Sequence, residues 1–218
     1  MGGWRAGKEE RPGIVTTDLD RLLVSLLALP HETEWVEFKH NNADPDEIGE
    51  YVSALANAAA LHGKERAYLI WGVEDQTHRV VGTTFHPRTA KVGNEELENW
   101  LLRLLDPRTE FRIHEWQHAG QDMAMLEISP AIHAPIRFKG EESIRVGSYK
   151  KKLKEYPEKE RALWAAFSRA RFEEGLAATG LTADEVLAAL DYPKFFEMAG
   201  QPLPTNKAAI LDRLAENG

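Results

Sequence analysis

The stretch Asp44-Pro-Asp-Glu-Ile-Gly-Glu-Tyr-Val-Ser-Ala-Leu-Ala-Asn-Ala-Ala-Ala-Leu-His-Gly63 decides the fold. Asp44 supplies an N-cap, Pro45 sits at the first helical position, and Glu47 stands where a capping box needs its acid. Ile48, Tyr51, Val52, Leu55 and Ala59 recur at helical spacing, and Gly63 follows the end. The run Ala54–Ala60 is rich in small side chains, so this helix can lie close against a sheet. Strands are predicted on both sides of it. Glu34-Trp-Val-Glu-Phe-Lys-His40 alternates with period two, with Val36 and Phe38 facing one way and Trp35, Glu37 and Lys39 the other. Arg66-Ala-Tyr-Leu-Ile-Trp-Gly-Val73 reads as a second strand.

Working outward, a turn at Glu74-Asp-Gln-Thr77 leads to an expected strand over 78–83, then a helix from about Asn94 to Leu105, ended by Asp106-Pro107. Strands are expected at 109–118, 122–129, 134–139 and 142–149, with turns at Ala119-Gly-Gln-Asp and Lys139-Gly-Glu-Glu. This order predicts an α+β fold, a mixed and mainly antiparallel sheet flanked by helices, not a doubly wound parallel sheet. Upstream, residues 1–15 read as a flexible arm. Thr17 then caps a helix striped by Leu19, Leu22, Leu23, Leu26 and Leu27 and stopped before Pro30. The main domain is expected over 16–155 and an all-helical extension over 156–218. In the extension, Thr182 and Glu185 form a capping box, and Thr205 or Asn206 opens a last helix. The end at Gly218, one residue past a helix, suggests a longer protein cut short.

Composition sets limits on function. The 218 residues are 43% hydrophobic and 28% charged, which are globular proportions. The absence of cysteine excludes disulfide scaffolds, thiolate zinc sites and cysteine nucleophiles. A net charge of −8 excludes indiscriminate coating of nucleic acid by charge alone. No targeting or membrane-spanning segment is read, so a cytoplasmic protein is the expectation. Phosphate-loop, dinucleotide, nucleophile-elbow and zinc-protease motifs are missing, and the eight histidines lack metal-ligand spacing.

An early acidic constellation remains. Glu32, Glu34 and Glu37 flank the first strand, and Asp75 lies at the end of a strand that could pair beside it. Glu37 and Lys39 share a face, which places a carboxylate beside an ammonium. Metal-dependent phosphodiester cleavage needs that combination: oxygen ligands for Mg²⁺ or Mn²⁺, and a cation near the scissile phosphate. Solvated charge at strand ends is the alternative. Glu32 joins Glu37 only if residues 31–34 turn or bulge, because an offset of five puts it on the opposite strand face.

The array Glu32-Thr-Glu-Trp-Val-Glu37-Phe-Lys39, Ile48–Ala58, Tyr68-Leu-Ile-Trp-Gly-Val-Glu-Asp75, Val81-Gly-Thr83 and Ile144-Arg-Val-Gly-Ser148 resembles the Schlafen-type AlbA-like domain. The resemblance implies a metal-dependent endoribonuclease acting on structured RNA such as transfer RNA. Its catalytic group would be Glu32, Glu37, Lys39 and Asp75, and its Mg²⁺ or Mn²⁺ ligands Glu32, Glu37 and Asp75. The alternative is a non-catalytic nucleic-acid-binding regulatory module. RNA is the expected partner ahead of DNA, and a homodimer is expected because longer relatives pair two related lobes.

Between Arg137 and Lys154, seven basic residues stand against Glu141 and Glu142, a local net of +5. Arg137, Lys139, Arg145, Lys150, Lys151 and Lys152 are therefore the expected nucleic-acid contacts, with Arg145 favoured because its fork matches phosphate oxygens. A solvated loop is the plainer reading of that segment. Asn57 is expected to satisfy nearby backbone, and Trp35 and Trp71 to pack the sheet.

Overall fold

The computed structural model describes residues 18–29, 33–75, 77–174 and 180–216. The chain divides into two compact units, Met1–Arg171 and Phe172–Gly218. The first contains α1 (Asp18–Leu27), β1 (Val36–Lys39), α2 (Pro45–Leu61), β2 (Ala67–Trp71), β3 (Lys91–Val92), β4 (Glu95–Glu96), α3 (Leu97–Leu104), β5 (Leu105–Asp106), β6 (Phe111–His118), β7 (Gln121–Ile128), β8 (Arg137–Phe138), β9 (Glu141–Val146) and β10 (Tyr149–Lys152). Helix α4 (Pro157–Glu174) follows a 3₁₀ turn, and its Leu163 and Phe167 belong to the main core.

Two four-stranded sheets organise this unit, in the orders β1-β2-β7-β6 and β10-β9-β8-β5. β1 and β2 are parallel because α2 connects them, whereas the remaining pairs are antiparallel. The fold is α+β with open, mixed sheets. The leucine stripe of α1 puts Leu23 and Leu26 against Val36, Phe38, Ile70, Met123 and Met125 on one face of the first sheet. On the other face, Val52, Leu55, Ala56 and Ala59 of α2 meet Leu69, Trp71 and Leu126.

Helix α2 also packs on the second sheet, so every residue from Val52 to Ala59 is buried. Small residues are what permit this, since a bulkier helix would force the two sheets apart. Gly49 shows the constraint directly: a Cβ there would stand 2.3 Å from the Phe138 ring of β8. Polar residues register the contact. Asn57 Nδ2 donates to the carbonyls of Ile136 and Ser143 (2.9 Å each), and its Oδ1 accepts from Ile136 N–H at 2.7 Å. Ser53 Oγ donates to Ile136 O and accepts from Ser143 N–H. Trp71 is fully buried and donates to Asn42 O. Asn57 and Trp71 thus take the structural roles expected of them.

Several local expectations change. Residues 78–83 form no strand beyond a single bridge, Val73 to Val80. Val81 and Gly82 both donate to Gly72 O, and Gly82 has a φ of +79°, so the chain curls before a ladder can extend. β10 was not expected, because three consecutive lysines do not look like a strand. It pairs with β9 through a two-residue turn in which Gly147 has a φ of +57°. Asp44 caps α2 as read, accepting from Asp46 and Glu47 N–H, but no capping box closes. Asn42 intervenes, accepting from Asp44 N–H and donating to the Glu47 carboxylate. Thr17, expected to cap α1, lies outside the described residues.

Among the described residues of the second unit, helices α5 (Ala183–Ala189), α6 (Tyr192–Met198) and α7 (Lys207–Glu216) pack around Leu187, Phe196 and Ile210. The Thr182–Glu185 capping box forms, and Asn206 rather than Thr205 caps α7 through Ala209 N–H. Among the described residues, no helix is long and apolar enough to cross a membrane.

Asn57→Ala should cost about 2–4 kcal/mol in urea unfolding, because the buried Ile136 N–H and Ser143 carbonyl lose their partners. Gly49→Ala should cost about 1–3 kcal/mol by crowding Phe138. A chain indifferent to both would contradict the close approach of α2 to β8.

Candidate nucleic-acid interface

Strand β1 delivers Glu37 and Lys39 to the α2 side of the sheet, as their alternation with Val36 and Phe38 requires. Glu37 is buried, and each of its oxygens meets a cation: Oε1 lies 2.5 Å from Lys39 Nζ, and Oε2 lies 2.5 Å from Arg145 Nη1. Burial alone would lower the Lys39 pKa, but the hydrogen bond and charge of Glu37, with Tyr51, outweigh it and hold the ammonium above its usual value. Burial, then the charge of Glu37, pushes the Tyr51 hydroxyl up. Lys39, Lys150 and Arg145 all lie over the Tyr51 ring, at 4.8, 4.5 and 5.8 Å from its centroid. Tyr51 is the residue sequence reasoning passed over, having been counted only as an apolar helix position. Its signal was its place on the face of α2 that meets the charged side of β1.

Arg145 differs from the expectation of a surface phosphate grip. It is 1% exposed, because β9 is an inner strand and the side chain turns inward to Glu37. The contact with Glu37 is one of charge. Neither Nε nor Nη1 has an aligned hydrogen-bond acceptor among the described residues. A cleft of about 20 Å³ opens here, lined by Thr33, Glu37, Asp75, His78, Arg145 and Ser148 among others. The structure therefore brings Glu37 and Asp75 to one cleft, with Asp75 exposed and Glu37 buried. Glu32 lies outside the described residues.

Glu37 and Asp75, the two expected ligands among the described residues, do not by themselves complete a divalent-ion site. Glu37 is already flanked by two cations, and among the described residues no group of three or more His, Asp or Glu could hold a metal.

The basic segment forms one wall of a separate groove of about 400 Å³, with Lys139, Lys150, Lys151 and Lys152 facing Asp46, Glu50 and Glu141. Its +5 is largely compensated in space. Lys139 pairs with Asp46, Lys150 with Glu50, and Lys152 and Lys154 both with Glu141. Arg137 lies elsewhere, paired with Asp106 at 3.0 Å. Lys151 is exposed and has no carboxylate within ion-pair reach among the described residues; it lies over Tyr149. Glu141 is held down to about 2 by its hydrogen bonds to Lys152 and Lys154, so these pairs persist throughout the neutral range.

Glu34 does not face the cleft. It clamps three segments by accepting from Gly147 N–H (2.8 Å), from Lys159 of α4 (2.8 and 2.9 Å) and by pairing with His62 at the end of α2 (2.6 Å). It thereby fixes the β9–β10 turn that carries Ser148.

The family model described as "Schlafen, AlbA_2" matches residues 32–154, more than half of the chain. The chain belongs to that family. Membership supports nucleic-acid binding as the class of function. Two solved structures are similar in part. One is the DIP2311 protein from Corynebacterium diphtheriae, with 19% identity, a TM-score of 0.43 and 84% of this chain covered. This chain covers 34% of that protein, so it spans about a third of its length. The other is the N-terminal domain of a RecG-related protein from Nitrosomonas europaea, with 23% identity, a TM-score of 0.38, and coverage of 60% of this chain and 90% of that domain. The search of curated proteins found no match.

Burial alone would raise the Glu34 pKa, but its bonds to Lys159, His62 and Gly147 outweigh burial and lower it. A depressed carboxylate contributes stability that is present above its unfolded value of 4.5 and lost as pH falls through the folded value. Thermal melts from pH 7 to pH 3 should therefore show a shallower acid loss for Glu34→Gln than for the wild type. Identical acid limbs would contradict the clamp.

Proposed function

We propose that the protein binds the phosphate backbone of nucleic acid, with structured RNA preferred, in the groove walled by Lys139, Lys150, Lys151 and Lys152. The observation that supports this reading is the placement of four lysines along one groove, three of them paired with exposed carboxylates. Exposed ion pairs are worth little, so incoming phosphates can displace Asp46, Glu50 and Glu141. Lys151 needs no such exchange and makes the first contact. Because each displaced pair returns a carboxylate to solvent, affinity should be modest and charge-tunable.

Fluorescence anisotropy of a labelled RNA hairpin and a DNA duplex, over a range of salt, tests this. Affinity for both should fall with salt. Lys151→Ala should weaken binding and reduce the salt slope by roughly one unit. Glu141→Gln, which frees Lys152 and Lys154, should tighten binding roughly two- to fivefold. Salt-independent association, or weaker binding by Glu141→Gln, would overturn the reading.

The second reading is divalent-metal-dependent endoribonuclease activity, favoured by the shared cleft of Glu37 and Asp75. It predicts cleavage of a structured RNA such as transfer RNA in Mg²⁺ or Mn²⁺, abolished by Asp75→Asn. Cleavage that survives this change would exclude it.

A further inference from the structure

The cleft at Glu37 presents donors in need of an acceptor, whereas a metal centre would present acceptors in need of a cation. Arg145 is 1% exposed, yet its Nε and Nη1 have no aligned acceptor among the described residues. Nη1 has only the charge contact with Glu37 at 2.5 Å, and leaving a buried charged donor without an aligned acceptor is costly, so the structure calls for a partner there. That partner must supply an oxygen lone pair, which a divalent cation does not have. A cation would also enter beside a guanidinium that cannot lose its proton.

Charge gives the same direction. In the buried cluster, Lys39 and Arg145 stand against the single carboxylate of Glu37, and Lys39 is held more firmly charged than usual. Glu37 and Asp75 both line the cleft among the described residues; Glu37 is already matched by its two cations, which leaves the exposed Asp75 as the carboxylate that would oppose an anion. The cleft, at about 20 Å³, has room for roughly one water-sized atom. A whole phosphate does not enter. The volume matches one non-bridging oxygen, and the exposed Ser148 stands on the same lining.

We infer that this cleft is an oxyanion site, taking one oxygen of a phosphoryl group onto the buried Arg145, with Lys39 on the other oxygen of Glu37, and that it does not hold a divalent cation. The inference stands apart from the groove reading, since it involves different residues and a different probe.

Asp75 makes the two possibilities opposite in sign. If the cleft takes an oxyanion, removing the Asp75 charge strengthens the ligand; if it takes a metal, the same change weakens it. Asp75 is exposed, so its substitution does not threaten folding. The experiment titrates inorganic phosphate into the full chain at low salt by isothermal calorimetry, with Mn²⁺ titrated separately. Expected is saturable phosphate binding that falls at least about tenfold in Arg145→Gln, as loss of a charge-assisted pair predicts. It should tighten by roughly 1.5- to fivefold in Asp75→Asn, and survive Lys151→Ala. Four outcomes overturn the inference: no saturable phosphate binding, which would leave only a water in the cleft; binding unchanged in folded Arg145→Gln; binding unchanged or weakened in Asp75→Asn; or Mn²⁺ binding that Asp75→Asn abolishes.

Discussion

The first unit depends on one buried contact, the approach of α2 to the second sheet through Gly49, Ser53 and Asn57. Helix α2 has no solvent-facing side between Val52 and Ala59, so it can exist only if both sheets close on it. Asn57 and Ser53 then fix where the second sheet sits, because their bonds reach the backbone of Ile136 and Ser143 and nothing else. A helix buried on all sides by apolar contact alone could slide. These directional bonds, unsatisfied in any other register, prevent that.

Position becomes chemistry through the same contact. Ser143 and Arg145 are two residues apart on β9, and Ser143 is held by α2. Arg145 is consequently delivered to the α2 side of the first sheet, where Glu37 waits on β1. Tyr51, less than two turns before Asn57 on α2, lies among Lys39, Lys150 and Arg145. The packing that makes the fold therefore gathers residues from β1, α2, β9 and β10, which are up to 113 positions apart in sequence. The lysines of β10 have a second physical use. They lie on a sheet edge, where charge discourages pairing with another chain.

Much of this arrangement was legible beforehand because local rules and tertiary packing agree. The Asp44-Pro45 start of α2, its small-residue run and the alternation of β1 are each dictated by nearest neighbours. Glu37 and Lys39 could be placed on one face for that reason. The illegible parts depend on distant partners. The +5 between Arg137 and Lys154 looked like a free basic patch, but Asp46, Glu50 and Asp106, which offset much of it, lie 31 or more positions away in sequence. Arg145 looked like a surface grip because nothing local shows that β9 is an inner strand. Glu34 looked like a member of an acidic cluster, and only the fold reveals that Gly147, His62 and Lys159 converge on it.

Backbone-amide hydrogen exchange, with and without a structured RNA hairpin at low salt, tests most directly whether this assembly is a nucleic-acid interface. The account predicts added protection in 139–152 and in β1, with β6 unchanged. Protection confined to β6 or to residues 180–216, or none at saturating RNA, would contradict it.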